Sequence, residues 1–185
     1  KEAKEAIQAL HACGISKVVM MTGDSRRTAE AVAREVGVDQ FYAEVLPEDK
    51  ANFVRQEKAA GRKVIMIGDG VNDTPALSEA DVGIAINTGA AIAREIADVT
   101  IASEDLFELV TLRKISQALM SRIQRNYRFI VGFNLMLIVL GVTGVIQPTT
   151  SALLHNASTL GISLDSMTDL LDKDKEKALP ETESA

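Results

Sequence analysis

From Phe129 to Ile146 the chain runs eighteen residues without a charged side chain, and the run is rich in Ile, Leu, Val and Gly. That length suits a helix crossing a bilayer, and Tyr127 and Gln147 can extend it at its ends. The preceding stretch, Leu109 to Arg128, carries Arg113, Lys114, Arg122, Arg125 and Arg128 and no acidic residue. By the positive-inside rule this side faces the cytoplasm, which predicts a multi-pass protein of the cell membrane with residues 1–128 cytoplasmic. Gln147-Pro148-Thr149-Thr150 reads as a turn. Ser151 to Leu164 is again uncharged but contains His155, Asn156, Ser158 and Thr159. Extended to Leu171, it forms a second span if neighbouring helices or an ion pathway shelter those polar groups. The expected layout is a basic linker helix over 109–128, a two-helix transmembrane hairpin over 129–171 and a disordered mixed-charge tail over 172–185. A soluble amphipathic hairpin is the alternative.

Residues 1–108 have a different grammar. Short apolar runs, Val18–Met21, Phe41–Ala43, Val64–Ile67, Val82–Ile86 and Val99–Ile101, alternate with amphipathic helical patterns. The helices are expected to bury Ala3, Ala6, Ile7 and Leu10, then Ala29, Val32, Ala33 and Val36, then Ala51 and Val54. A short helix at Pro75 and another over Ile92–Ala97 follow. Such alternation predicts an α/β fold: a parallel sheet with helices on both faces. Over the whole chain, 46% hydrophobic and 25% charged residues exclude disorder and collagen. A formal net charge of -6 argues against a nucleic-acid partner. The single cysteine, Cys13, excludes an internal disulfide and any Cys-x-x-Cys metal site. It and His11 are expected to be ordinary residues. The charged start, Lys1 to Glu5, is no signal peptide. It also lacks an initiator methionine, so the chain is expected to be a piece of something longer.

Three segments converge if the sheet is parallel, because the carboxyl ends of its strands share one edge, where ligands of open α/β sheets bind. Thr22-Gly23-Asp24 and Gly68-Asp69-Gly70 each follow a strand directly, and Lys50 sits near the start of the helix after the second strand. The set offers a hydroxyl, free backbone N–H groups, a lysine and two carboxylates, Asp69 and Asp73. Paired hard oxygens suit Mg²⁺. Thr22 and the Gly23 N–H suit phosphoryl oxygens, and Lys50 suits the charge of a transferring phosphoryl group. Taken singly, Thr22–Ser25 is equally a turn capping the next helix, and a helical lysine is by default a surface charge. The Gly68–Asp73 loop is more specific, since two glycines and three short polar residues after an apolar strand form a phosphate or metal loop.

These motifs, with Pro47-Glu48-Asp49-Lys50, the ten-residue Gly68–Leu77 stretch, Ala80–Ile86 and Ala97-Asp98-Val99, resemble the P-type cation-transporting ATPases. The likeness is closest to the heavy-metal-transporting subfamily, within the haloacid-dehalogenase-like superfamily, and it reaches to about Leu171. It implies a haloacid-dehalogenase-like, Rossmann-type domain followed by the last two membrane helices of a pump. It also implies ATP as substrate and Mg²⁺ as cofactor. Thr22 and Gly23 would then hold the phosphoryl group, and Asp24 would order that loop and contact nucleotide or the adjacent domain. Lys50 would stabilise an aspartyl phosphate, Asp69 and Asp73 would bind Mg²⁺, and Asn72 would support the phosphate site. Thr74 stands where many members have alanine.

The family's Asp-Lys-Thr-Gly-Thr phosphorylation motif is absent from this sequence, as are its nucleotide-binding and actuator domains and its Cys-Pro-Cys helix. The expectation is therefore a C-terminal piece: part of the phosphorylation domain, over 1–108, plus the last membrane pair, inactive by itself and dependent on the upstream domains. Asn134, His155, Asn156, Ser158 and Thr159 are candidates for the transported ion, with interhelical hydrogen bonding as their alternative. Imidazole suits a transition metal, and without the methionine and serine arrangement of copper pumps, Zn²⁺, Cd²⁺, Co²⁺ or Mn²⁺ is favoured over copper. A membrane-tethered phosphatase of the same superfamily and a non-catalytic membrane interaction protein are the competing readings.

Overall fold

The structure is a computed structural model that describes residues 2–68, 71–86, 95–102 and 105–170. It divides into two units, Lys1–Thr111 and Leu112–Ala185. The first runs α1 (Glu2–Ala12), β1 (Val19–Met21), α2 (Arg26–Val36), β2 (Gln40–Tyr42), α3 (Pro47–Ala59), β3 (Ile65–Gly68), a 3₁₀ turn (Val71–Asp73), α4 (Thr74–Glu79), β4 (Val82–Ile86) and β5 (Val99–Ile101). Each expected strand is present within a residue or two of its expected limits. The helix expected over Ile92–Ala97 falls partly outside the described residues.

Every strand pairing among the described residues is parallel. β1 pairs with β2, and β3, β4 and β5 form a three-stranded sheet in that order. Parallel pairs have no tight turn to set their register, and aspartates take over that task three times. The Asp39 carboxylate accepts the Val18 N–H at 2.6 Å. Asp81 accepts the Val64 N–H at 3.0 Å, and Asp98 accepts the Gly83 N–H at 2.8 Å. In each case the aspartate's own N–H donates back to the carbonyl of the same residue. Asp81 also accepts from the Lys63 ammonium at 2.9 Å. That contact, then the Val64 N–H, holds its carboxyl below the ordinary carboxylate range and raises Lys63 above its own.

The core gathers Ala51 and Val54 of α3, Met66 of β3, Ala76 and Leu77 of α4 and Ala85 of β4, with Met21 of β1 packed against it. Helices α3 and α4 thus cover one face of β3. The sheet was expected to carry helices on both faces. On the other face Ile84 of β4 is buried at 3% exposure, while Ile65 and Ile67 of the neighbouring β3 are 44% and 38% exposed, so that face is covered in part. His11 donates from Nδ1 to the Ile15 carbonyl at 2.7 Å and brings Nε2 to 3.3 Å from Asp39, an ordinary tie between α1 and the sheet.

The expected linker helix and first span are one continuous helix, α5 (Phe107–Val142), of 36 residues and about 54 Å. Neither proline nor any turn signal interrupts it. It is long and apolar enough to cross a membrane, the one such helix among the described residues. It ends four residues before Ile146. Gly144 adopts φ +74°, and its N–H donates to Gly141 while that of Val145 donates to Leu140, at 3.1 and 3.0 Å. This closing motif favours a residue without a side chain. Helix α6 (Pro148–Ser166) opens on a proline and has 19 residues. Its threonines, serines, His155 and Asn156 interrupt its apolar positions. The tail over 172–185 lies outside the described residues.

Candidate functional site

The carboxyl end of β1 leads straight into Thr22-Gly23-Asp24. The Thr22 hydroxyl donates to Asp24 Oδ2 at 3.0 Å, and the Asp24 N–H donates back to Thr22 Oγ1 at 3.1 Å, so the loop is folded on itself. It is also tied to the next loop: the Val45 N–H donates to Thr22 O and the Glu44 N–H to Asp24 O, both at 3.0 Å. Glu44 takes a left-handed conformation, φ +57°, to make this turn, a conformation that is uncommon for a residue with a side chain.

Two residues further on, α3 begins. Pro47 occupies its first turn, and Asp49 accepts the otherwise orphaned Leu46 N–H at 3.1 Å. Lys50 is thereby fixed one turn inside α3. Its ammonium donates to Asp73 Oδ1 at 2.7 Å across two largely buried side chains. Asp73 is the one buried charged residue among those described, at 7% exposure. Gly68, at the end of β3, has Asp73 lying directly against it.

The structure therefore brings Lys50 and Asp73 together at the carboxyl edge, with the Thr22–Asp24 loop joined to them through the 44–46 turn. No side-chain hydrogen bond joins Thr22 or Asp24 to Lys50 or Asp73 among the described residues. Asn72 is exposed on the 3₁₀ turn. Asp69 lies outside the described residues. Asp73 Oδ2 makes no hydrogen bond among the described residues, which leaves one hard oxygen of the kind Mg²⁺ binds, and those residues contain no group of three or more His, Cys, Asp or Glu that could hold a metal ion. Thr74, noted in the sequence only as standing where many family members have alanine, has a buried hydroxyl with no hydrogen-bond partner among the described residues.

The second candidate cluster joins α5 to α6. His155 Nδ1–H donates to Asn134 Oδ1 at 2.8 Å. Ser158 and Thr159 both donate to the His155 carbonyl, at 2.8 and 3.1 Å. The Asn156 side chain makes no hydrogen bond among the described residues. The sequence reading treated Arg122 and Arg125 only as topology charges. Arg122 in fact donates to the carbonyls of Thr168 and Asp169 at 2.7 and 2.8 Å, and Arg125 pairs with Asp165 at 2.7 Å. Asp165, an acid in a nearly uncharged helix, was the available signal.

Residues 1–81 match the haloacid dehalogenase-like hydrolase family. The chain is 48% identical over 150 residues to a protein named copper-transporting ATPase 2 from Rhizobium meliloti, covering 81% of this chain and 18% of that protein. It is 42% identical over 166 residues to a manganese-exporting P-type ATPase from Mycobacterium leprae, covering 89% and 23%. A solved zinc-transporting PIB-type ATPase in its E2.Pi state superposes with a TM-score of 0.83 at 32% identity, covering 89% of this chain and 27% of that one. The chain thus spans about a fifth of the length of these curated relatives.

Proposed function

This chain belongs with the heavy-metal P-type ATPases of the haloacid dehalogenase-like hydrolases, and from that premise we propose that it serves an ATP-driven heavy-metal cation pump. In that pump it supplies the phosphate- and Mg²⁺-binding half of the phosphorylation site and the last two membrane helices. The observation that carries the proposal is the Lys50–Asp73 pair, 2.7 Å apart at the carboxyl edge of a parallel sheet.

In this reading the acceptor aspartate comes from a part of the pump outside this sequence. The Thr22 hydroxyl and Gly23 N–H bind phosphoryl oxygens, and Asp24 keeps Thr22 oriented and contacts nucleotide or the adjacent domain. Lys50 is fixed by Asp73 and turns its charge to the transferring group, and Asn72 supports the same group. Mg²⁺, held by Asp69 and Asp73, would offset phosphoryl charge when bound. Preorganised charge of this kind typically contributes about 3 kcal/mol or more. Asp69→Asn in the whole pump is expected to lower phosphoenzyme formation from ATP at least about a hundredfold. Phosphoenzyme near the wild-type level would reject the reading.

Both α5 and α6 span the membrane in this reading, with residues 1–128 on the cytoplasmic side and the α5 arginines at that face. His155 and Asn134 meet between the helices, with Asn156, Ser158 and Thr159 beside them as further donors. Nitrogen and oxygen donors without sulfur favour Zn²⁺, Cd²⁺, Co²⁺ or Mn²⁺ over copper.

A further inference from the structure

Beside the Arg125–Asp165 pair, α5 and α6 border an open groove of about 390 Å³. Arg125, Asn126 and Asp165 lie at one end, Phe129 and Ile162 form apolar walls, and Ser158 lies furthest along α6. The donor chemistry is uniform. Asp165 offers a carboxylate. Asn126 spends its amide N–H₂ on Ser166 Oγ at 3.3 Å, which leaves its carbonyl oxygen without a partner among the described residues. Ser158 spends its proton on the His155 carbonyl and keeps its lone pairs. All are hard oxygens, suited to a divalent cation such as Mn²⁺. Asp165 and Ser158 are seven residues apart on one helix, roughly 10 Å along its axis. They cannot chelate one ion together, but they can hand it on, and Ser158 is already bonded to the residue that carries the candidate imidazole.

We infer that this groove is the vestibule through which the cation reaches His155, with Asp165 as its first ligand and Arg125 as a tethered counter-ion that holds the carboxylate until the cation displaces it. The inference rests on the pump reading and deepens it. It explains why an acid and a base stand at one end of a groove whose other polar side chains, Asn126 and Ser158, both offer oxygen. A plain structural clasp is already supplied next door, where Arg122 grips the end of α6 through backbone carbonyls alone.

The test is the Mn²⁺ concentration that half-stimulates ATP hydrolysis by the whole pump in vesicles, repeated with Zn²⁺, Co²⁺, Cd²⁺ and Cu⁺. Asp165→Asn is expected to raise it roughly tenfold, the loss of one charge-assisted ligand. Arg125→Gln is expected to lower it, because the carboxylate is freed. Arg122→Gln weakens the clasp without touching Asp165 and is expected to leave it unmoved. Opposite shifts from Asp165→Asn and Arg125→Gln support the vestibule. Should all three variants shift it together, or none shift it while melting temperatures fall, the pair is only a clasp and the inference is overturned. A wild-type pump stimulated by none of these metals overturns the pump reading itself. Should Asp165→Asn fail to assemble, Arg125→Gln against Arg122→Gln still decides.

Discussion

A β-carbon placed on Gly68 would stand 2.5 Å from the Asp73 β-carbon, closer than packed side chains approach. The last residue of β3 and the buried carboxylate are pressed together, and the same approach sets where Asp73 meets Lys50. Gly68→Ala is therefore expected to push Asp73 off the lysine and to cost about 1–3 kcal/mol in overpacking. Thermal melting in detergent reads the loss, and phosphoenzyme formation should fall with it. A variant with unchanged melting and phosphorylation contradicts this contact.

Truncating Lys50 strands a largely buried charge. Lys50→Ala is expected to destabilise the first unit by about 3 kcal/mol, whereas Lys50→Met with Asp73→Leu recovers much of that loss, since an apolar pair carries no desolvation cost. Chemical denaturation of both variants checks the asymmetry. Only the single variant's stability loss belongs to the fold. The double variant should be stable and still unable to form phosphoenzyme.

Thr74 buries a hydroxyl that bonds to nothing described. Thr74→Ala is expected to raise stability by roughly 1 kcal/mol, because an unsatisfied buried donor costs about that much. Thr74→Ser, which keeps the hydroxyl, should gain nothing.

Acid should weaken the β3–β4 register. The Lys63 ammonium and the Val64 N–H hold the Asp81 carboxyl below the ordinary carboxylate range when folded. The unfolded chain therefore binds this proton more readily. The stability Asp81 contributes is present above the ordinary value near ~4 and is lost as pH falls below it. Glu57 shares the direction, through its hydrogen bond with Arg62. A melting curve taken from neutral pH down through that window should slope for wild type and slope less for Asp81→Asn, with Glu57 supplying what remains.

His155→Ala and Asn134→Ala separate two roles for the bonded pair in the membrane helices. As cation ligands, both raise the metal concentration for half-stimulation, while phosphorylation from inorganic phosphate persists. As a packing bond only, they cost ~0.6–2 kcal/mol of stability and leave the metal profile unchanged.

The α/β alternation was legible because strands and helices write different apolar periods, and Lys50 and Asp73 could be placed at one edge because parallel strands share it. The sequence could not show that Lys50 reaches Asp73, which depends on Pro47 and Asp49 starting α3 where they do. Nor did it reveal the aspartate clamps at Asp39, Asp81 and Asp98, since a side chain bonding to backbone leaves no periodic trace. The basic run before Phe129 reads as a topology signal whether or not its arginines also bind α6. Glu44 gave no warning of its left-handed turn, because glutamate seldom adopts one.

β1 and β3 each carry one edge on which no described strand is paired, and Ile65 and Ile67 of β3 are partly exposed. Such edges are templates for any extended chain that meets them. Expressed as an isolated polypeptide, the first unit is expected to form β-rich aggregates at modest concentration. A charged substitution at Ile65 or Ile67 should raise its soluble yield.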